Sequence, residues 1–222
     1  MESYMNRISN TGIVPVVKIL EKEDAYPLAK ALLNGGIDVI EVTYRSEHAT
    51  SAIQTISKEL PDMLVGAGTV LSVEQAKEAV QAGAKFIITP GFNTKVVQWC
   101  LNHDVEVYPG VSTASEVEMA LSMGLTQLKF FPAESSGGAK KLKDLSAPYA
   151  NVHFMPTGGI NTKNMHDYLS LPNVEAIGGS FMLPNDLVVA KDWNGIEALS
   201  RAAIKSLLDF QLIHVGINTN SP

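Results

Sequence analysis

The chain has 222 residues, 45% hydrophobic and 18% charged, which suits one sizeable core and excludes wholesale disorder. Its formal net charge of −6 argues against a nucleic-acid partner, but not against an anionic small molecule that needs only a local positive site. A single cysteine excludes an intrachain disulfide and any multi-cysteine metal site, and no apolar run reaches the roughly 18 residues of a membrane span.

The N-terminus, MESYMNRISN, lacks the apolar core of a signal peptide, which with the missing disulfides predicts a cytoplasmic protein. The first strand-like run covers residues 12–18. It leads into Glu21-Lys22-Glu23, where a dinucleotide-binding sheet would carry GxGxxG. Residues 23–34 place Ala25, Leu28, Ala29 and Leu32 at helical spacing and stop at Gly35-Gly36. Strand-like runs follow at 37–43, 63–70, 85–89, 105–109, 126–131, 152–157 and 174–179. Helical stretches are predicted at 72–81, 95–102, 115–122, 162–170 and 195–208, and Ser72 with Gln75 has the spacing of a capping box. Eight strand-like runs alternating with helices point to a compact (β/α)8 TIM barrel, with an open doubly wound sheet as the competing architecture.

Polar residues that interrupt the apolar runs carry the functional signal. In DVIEVTYR, side chains alternate faces, so Ile40, Val42 and Tyr44 pack against helices while Glu41, Thr43 and Arg45 face the lumen. Residues two apart rise about 6.6 Å, which puts Arg45 nearer the mouth than Glu41. An edge strand with a solvent face would give the same pattern. In TQLKFFPAE, Leu128 and Phe130 face the helices and Gln127, Lys129 and Phe131 the lumen. A buried amine that can shed its proton is a nucleophile able to condense with a ketone. A structural ion pair with Glu41 is the alternative role for Lys129.

Thr157-Gly158-Gly159 ends the seventh run and Gly178-Gly179-Ser180 the eighth. Glycine-exposed N–H groups there would build the phosphate cradle that barrels form after strands seven and eight. GAGTV places the Thr69 hydroxyl at the mouth, and Thr89-Pro90-Gly91 and Tyr108-Pro109-Gly110 shape the rim. His48, His103, His153, His166 and His214 have no metal-ligating spacing, and Cys100 falls in a helical stretch where it packs.

EVTYRSE, GAGTVLS, ITPGF, YPGVSTASE, LKFFPAESSGG, MPTGGI and IGGSFM, in this order, resemble the 2-keto-3-deoxy-6-phosphogluconate (KDPG) and 4-hydroxy-2-oxoglutarate (KHG) aldolases, over about residues 5–208. The resemblance implies a class I, pyruvate-forming aldolase without metal or other cofactor, acting on a 2-keto acid phosphosugar and assembled as a homotrimer. It implies Lys129 as Schiff-base former and Glu41 as general acid/base. Arg45 and Thr69 would hold the pyruvyl carboxylate, Pro90, Phe131 and Thr157 the pyruvyl group, and Gly158, Gly159, Gly178, Gly179 and Ser180 the phosphate. Residues 1–208 are expected to form the barrel and 209–222 a tail. The tail segment FQLIHVGIN resembles the opening of a metal-binding glyoxalase-type domain fused to some of these aldolases, as a remnant or simply an irregular tail. Competing readings are the galactonate-epimer aldolase, a phosphosugar isomerase or epimerase, and a non-catalytic phosphosugar-binding barrel.

Overall fold

A computed structural model describes residues 4–208. The tail expected at 209–222 lies outside the described residues. Helix α1 (Tyr4–Thr11) precedes nine short strands: β1 (Ile13–Val17), β2 (Val39–Thr43), β3 (Leu64–Gly68), β4 (Phe86–Ile88), β5 (Glu106–Tyr108), β6 (Gly110–Val111), β7 (Gln127–Phe130), β8 (His153–Pro156) and β9 (Ile177–Gly179). Between and after them run α2 (Ala25–Asn34), α3 (Ala49–Glu59), α4 (Val73–Ala82), α5 (Thr94–Asn102), α6 (Ala114–Ser122), α7 (Gly138–Ser146), α8 (Met165–Leu169), α9 (Asn185–Val189) and α10 (Trp193–Leu208).

All the strand pairs are parallel, in the order β5-β4-β3-β2-β1-β9 and β6-β7-β8. Two further bridges, Phe154 with Val174 and Thr157 with Gly178, tie β8 to the last strand segment. The fifth run, expected to be continuous to residue 109, divides there: Pro109 separates β5 from β6, and its carbonyl accepts from Lys129 N–H at 2.9 Å. Proline lacks a donor, so the stave bends and resumes on the other side of the seam. Counting β5 and β6 as one stave, the ring closes as a (β/α)8 barrel, and the open doubly wound sheet is excluded.

The faces follow the alternation read from the sequence. Ile40, Val42, Leu128 and Phe130 lie in the layer between strands and helices. Val14, Val39, Leu64, Phe86, Ile88, Tyr108, Met155 and Ala176 fill the lower lumen, where Met5 and Ile8 of α1 plug it. Arg7 anchors that plug to Asp38 at 2.8 Å. The apolar lower layer leaves the polar lumen residues only the upper half, toward the C-terminal ends of the strands. There, in a barrel, the loops assemble a site.

Helix starts follow cap chemistry. Ser72 accepts from the Gln75 N–H at 3.2 Å, while the Gln75 side chain accepts from Leu71 N–H at 2.7 Å. Thr113 and Glu116 form a complete capping box on α6. The stretch expected to be helical over 162–170 is helical only at Met165–Leu169, because Asn161 and Asn164 side chains bond the intervening backbone.

Candidate active site

Glu41 sits in the middle of β2 and Lys129 in β7, both on the lumen face. They meet there: Lys129 Nζ lies 3.2 and 3.4 Å from the two Glu41 carboxylate oxygens. Glu41 is 0% exposed and Lys129 4%. A buried charge without a partner is costly, and this pair gives each the other. The Phe131 ring adds a cation–π face, its centroid 5.3 Å from Nζ. Space for the carboxylate comes from Gly68, where a Cβ would fall 2.0 Å from Glu41 Oε1. An amine and a carboxylate in contact inside one buried pocket place a potential nucleophile beside a potential base.

The rim surrounds this pair. Arg45 is exposed just beyond β2, and its Nε donates to Thr43 Oγ1 at 3.2 Å; Thr43 in turn donates to the Val17 carbonyl at 2.8 Å. Lys18, which the sequence reading did not single out, is exposed at the end of β1. It lines, with Arg45 and Ser180, a cleft of about 210 Å³. Its only sequence signal was a lysine following the VPVV run. Thr69 holds φ +54, an uncommon conformation for a β-branched residue and one that clusters at functional sites. Pro90 is half-buried over β4, and the Pro90 carbonyl approaches Gly110 so closely that a Cβ there would lie 2.2 Å away.

Thr157 is 5% exposed, and its Oγ1 has no hydrogen-bond partner among the described residues. Such an atom marks a place where something else donates or accepts. Beside it, Gly158 and Gly159 hold φ +107 and +80, half-buried and exposed respectively. The Thr157–Gly178 bridge engages the Gly158 N–H, while the Gly159 N–H donates to no backbone carbonyl or side chain among the described residues. Gly179 is buried at the end of β9 and Ser180 exposed just beyond it. Gly178, expected in the same cradle, lies deeper. It is buried, and a Cβ on it would meet Thr157 Oγ1 at 2.2 Å, so its missing side chain makes room for Thr157.

Cys100 is buried in α5, and desolvation pushes its thiol up to about 12, in keeping with packing. No cluster of three or more potential metal ligands occurs among the described residues.

The fold and the buried amine–carboxylate pair define an aldolase-type (β/α)8 barrel. The family model described as KDPG and KHG aldolase matches residues 4–199, and the chain belongs to that family. It is 45% identical over 205 residues to the 2-dehydro-3-deoxy-phosphogluconate aldolase of Treponema pallidum (strain Nichols), covering 92% of this chain and 98% of the relative. It is 44% identical to the KHG/KDPG aldolase of Escherichia coli (strain K12), covering 89% and 93%. Among solved structures, the KDPG aldolase of Legionella pneumophila with pyruvate captured at low pH as a covalent carbinolamine intermediate superposes with a TM-score of 0.88. That match has 40% identity and covers 91% of this chain and 99% of the other.

Proposed function

We propose that this enzyme cleaves 2-dehydro-3-deoxy-6-phosphogluconate to pyruvate and D-glyceraldehyde 3-phosphate through a Schiff base on Lys129. The observation that carries this is the buried contact of 3.2 Å between Lys129 Nζ and Glu41 in an aldolase-family barrel. The neutral amine attacks the C2 ketone, and loss of water leaves an iminium that serves as an electron sink. Glu41, directly or through one water, removes the C4 hydroxyl proton. The C3–C4 bond breaks, the aldehyde leaves, and its bonding electrons form the enamine of pyruvate on Lys129. Glu41 returns a proton to C3, and water hydrolyses the resulting imine to free pyruvate and the amine. Such acid/base help is typically worth about 10²–10⁴-fold.

Arg45, with Thr69, holds the keto-acid carboxylate, because a guanidinium fork matches a carboxylate bidentately. Pro90 and Phe131 flank the pyruvyl group, and the unpartnered Thr157 hydroxyl faces it. Gly158, Gly159, Gly179 and Ser180 bind the phosphate through N–H and hydroxyl donors, with Gly178 shaping the wall behind them. The enzyme needs no metal or other cofactor. It acts as a cytoplasmic homotrimer in the Entner–Doudoroff route, and no helix among the described residues is long and apolar enough to cross a membrane.

A second activity, cleavage of 4-hydroxy-2-oxoglutarate to pyruvate and glyoxylate, is supported by the name of the Escherichia coli relative. The test is borohydride reduction with pyruvate followed by peptide mass mapping. An adduct on Lys129 is expected, and an adduct elsewhere, or none, refutes the assignment. Assay of the gluconate and galactonate epimers side by side fixes the substrate configuration.

A further inference from the structure

Two of the cradle's residues, Gly158 and Gly159, lie in the left-handed region, a backbone with more freedom than any other residue type allows. Within the loop the Asn161 and Asn164 side chains hold the Gly159 carbonyl, at 3.4 and 3.1 Å, and a second support comes from outside it. The loop that follows β7, which carries Phe131, runs alongside it. Ala133 N–H donates to the Thr157 carbonyl at 2.8 Å and Glu134 N–H to the Gly158 carbonyl at 3.1 Å. The Glu134 side chain then folds over Gly159, where an added Cβ would lie 2.6 Å from Glu134 Cγ. Its Oε1 accepts a hydrogen bond from Tyr168, a fully buried side chain on α8.

This arrangement is unusual for an anion site, because it places a carboxylate beside the group that binds phosphate. An unrestrained carboxylate would repel the ligand, and a free side chain would also compete for the glycine N–H donors. Tyr168 removes both problems, since its hydroxyl donates to the carboxylate and fixes where it points. Burial, and then the bond to Glu134, push the Tyr168 hydroxyl well above its ordinary range, so it stays a donor at any working pH.

We propose that Glu134, locked by Tyr168, is a positioning residue that braces the Gly158–Gly159 loop against the strand carrying Lys129 and thereby sets affinity for the phosphorylated end of the substrate. This rests on the phosphate-cradle reading above. It separates two substrates of one chemistry: 2-dehydro-3-deoxy-6-phosphogluconate, which uses the cradle, and 4-hydroxy-2-oxoglutarate, which carries no phosphate.

The experiment measures KM and kcat for both substrates in Glu134→Ala, Glu134→Gln and Tyr168→Phe, with pyruvate–borohydride labelling of each. Glu134→Ala and Tyr168→Phe should raise KM for the phosphorylated substrate about tenfold, equivalent to ~1.4 kcal/mol, while KM for 4-hydroxy-2-oxoglutarate moves less than about twofold. Glu134→Gln still accepts from Tyr168 and should stay within about twofold of the parent. Equal rises for both substrates, or Glu134→Gln behaving like Glu134→Ala, overturn the brace. If Glu134→Ala does not fold, Tyr168→Phe alone decides by the same split. If the parent itself shows no preference for the phosphorylated substrate, the cradle reading falls and the brace with it. If the parent has that preference and labels on Lys129 but the split is absent, only the brace falls.

Discussion

Gly68→Ala tests the proposed catalytic geometry without replacing Glu41 or Lys129. Gly68 ends β3 on the lumen face, and the added methyl would lie 2.0 Å from Glu41 Oε1 and 2.5 Å from its Cδ. Real Cβ contacts stay beyond 3.0 Å, so the carboxylate must retreat by about 1 Å. Its contacts with Lys129 Nζ, now 3.2 and 3.4 Å, cannot both survive that retreat. A displacement of this size is worth about 10²-fold in rate when the displaced group moves protons at the reacting carbon. Overpacking should cost about 1–3 kcal/mol of stability, which a folded barrel tolerates. The assay couples pyruvate release to lactate dehydrogenase, with thermal melts and borohydride labelling run in parallel. A kcat lower by about two orders of magnitude is expected, with a folded protein whose Lys129 still forms the pyruvate adduct. Gly91→Ala is the control, since a Cβ there meets nothing within 4 Å, and it should leave kcat nearly unchanged. A folded Gly68→Ala enzyme that keeps kcat within about threefold would refute the claim that Glu41 must sit where it does.

Three further outcomes are expected. Arg45→Lys keeps the charge but loses the planar fork, and KM for the keto acid should rise roughly tenfold or more, measured against a smaller change in kcat. Ile8→Ala opens a hole in the plug beneath the barrel and should cost about 2–5 kcal/mol by denaturant titration, while the folded fraction keeps its kcat. Burial works against the Glu116 charge, but hydrogen bonds from Ser112 and Thr113 outweigh it and hold the carboxyl below its ordinary value. A depressed folded pKa means stabilisation that is complete above the unfolded carboxylate range and fades as pH falls through the folded value. Glu116→Gln should therefore lose about 0.5–1 kcal/mol at neutral pH, and the gap to the parent should close on acidification; a gap that widens in acid would contradict this sign.

The local pattern of apolar and polar residues was enough to number the staves and to aim their side chains. Period-two alternation in DVIEVTYR and TQLKFFPAE is a property of an extended backbone, so it assigned Glu41 and Lys129 to the lumen and Ile40, Val42, Leu128 and Phe130 to the helix layer. The Ser72 cap was legible for the same reason, since it acts within a few residues of itself, whereas the Thr113 cap lies two residues before the predicted start of its helix and was not read.

Which lumen residues touch is a different kind of fact. Lys129 reaches Glu41 across 88 positions of sequence, and only closure of the ring brings β7 within reach of β2. The reasons for several glycines are equally non-local. Gly68 makes room for Glu41 from the neighbouring strand and Gly178 for Thr157, neither of which a turn-based reading of GAG or IGG reveals. Lys18 gains meaning only beside Arg45 and Ser180, and Glu134 only beside Gly159 and against Tyr168. Sequence alone therefore determined the barrel's staves and the chemistry available inside it, because both are written in short-range periodicity and residue type. The tertiary structure decided which groups share one dry pocket, because contacts across a closed barrel depend on where distant strands come to lie.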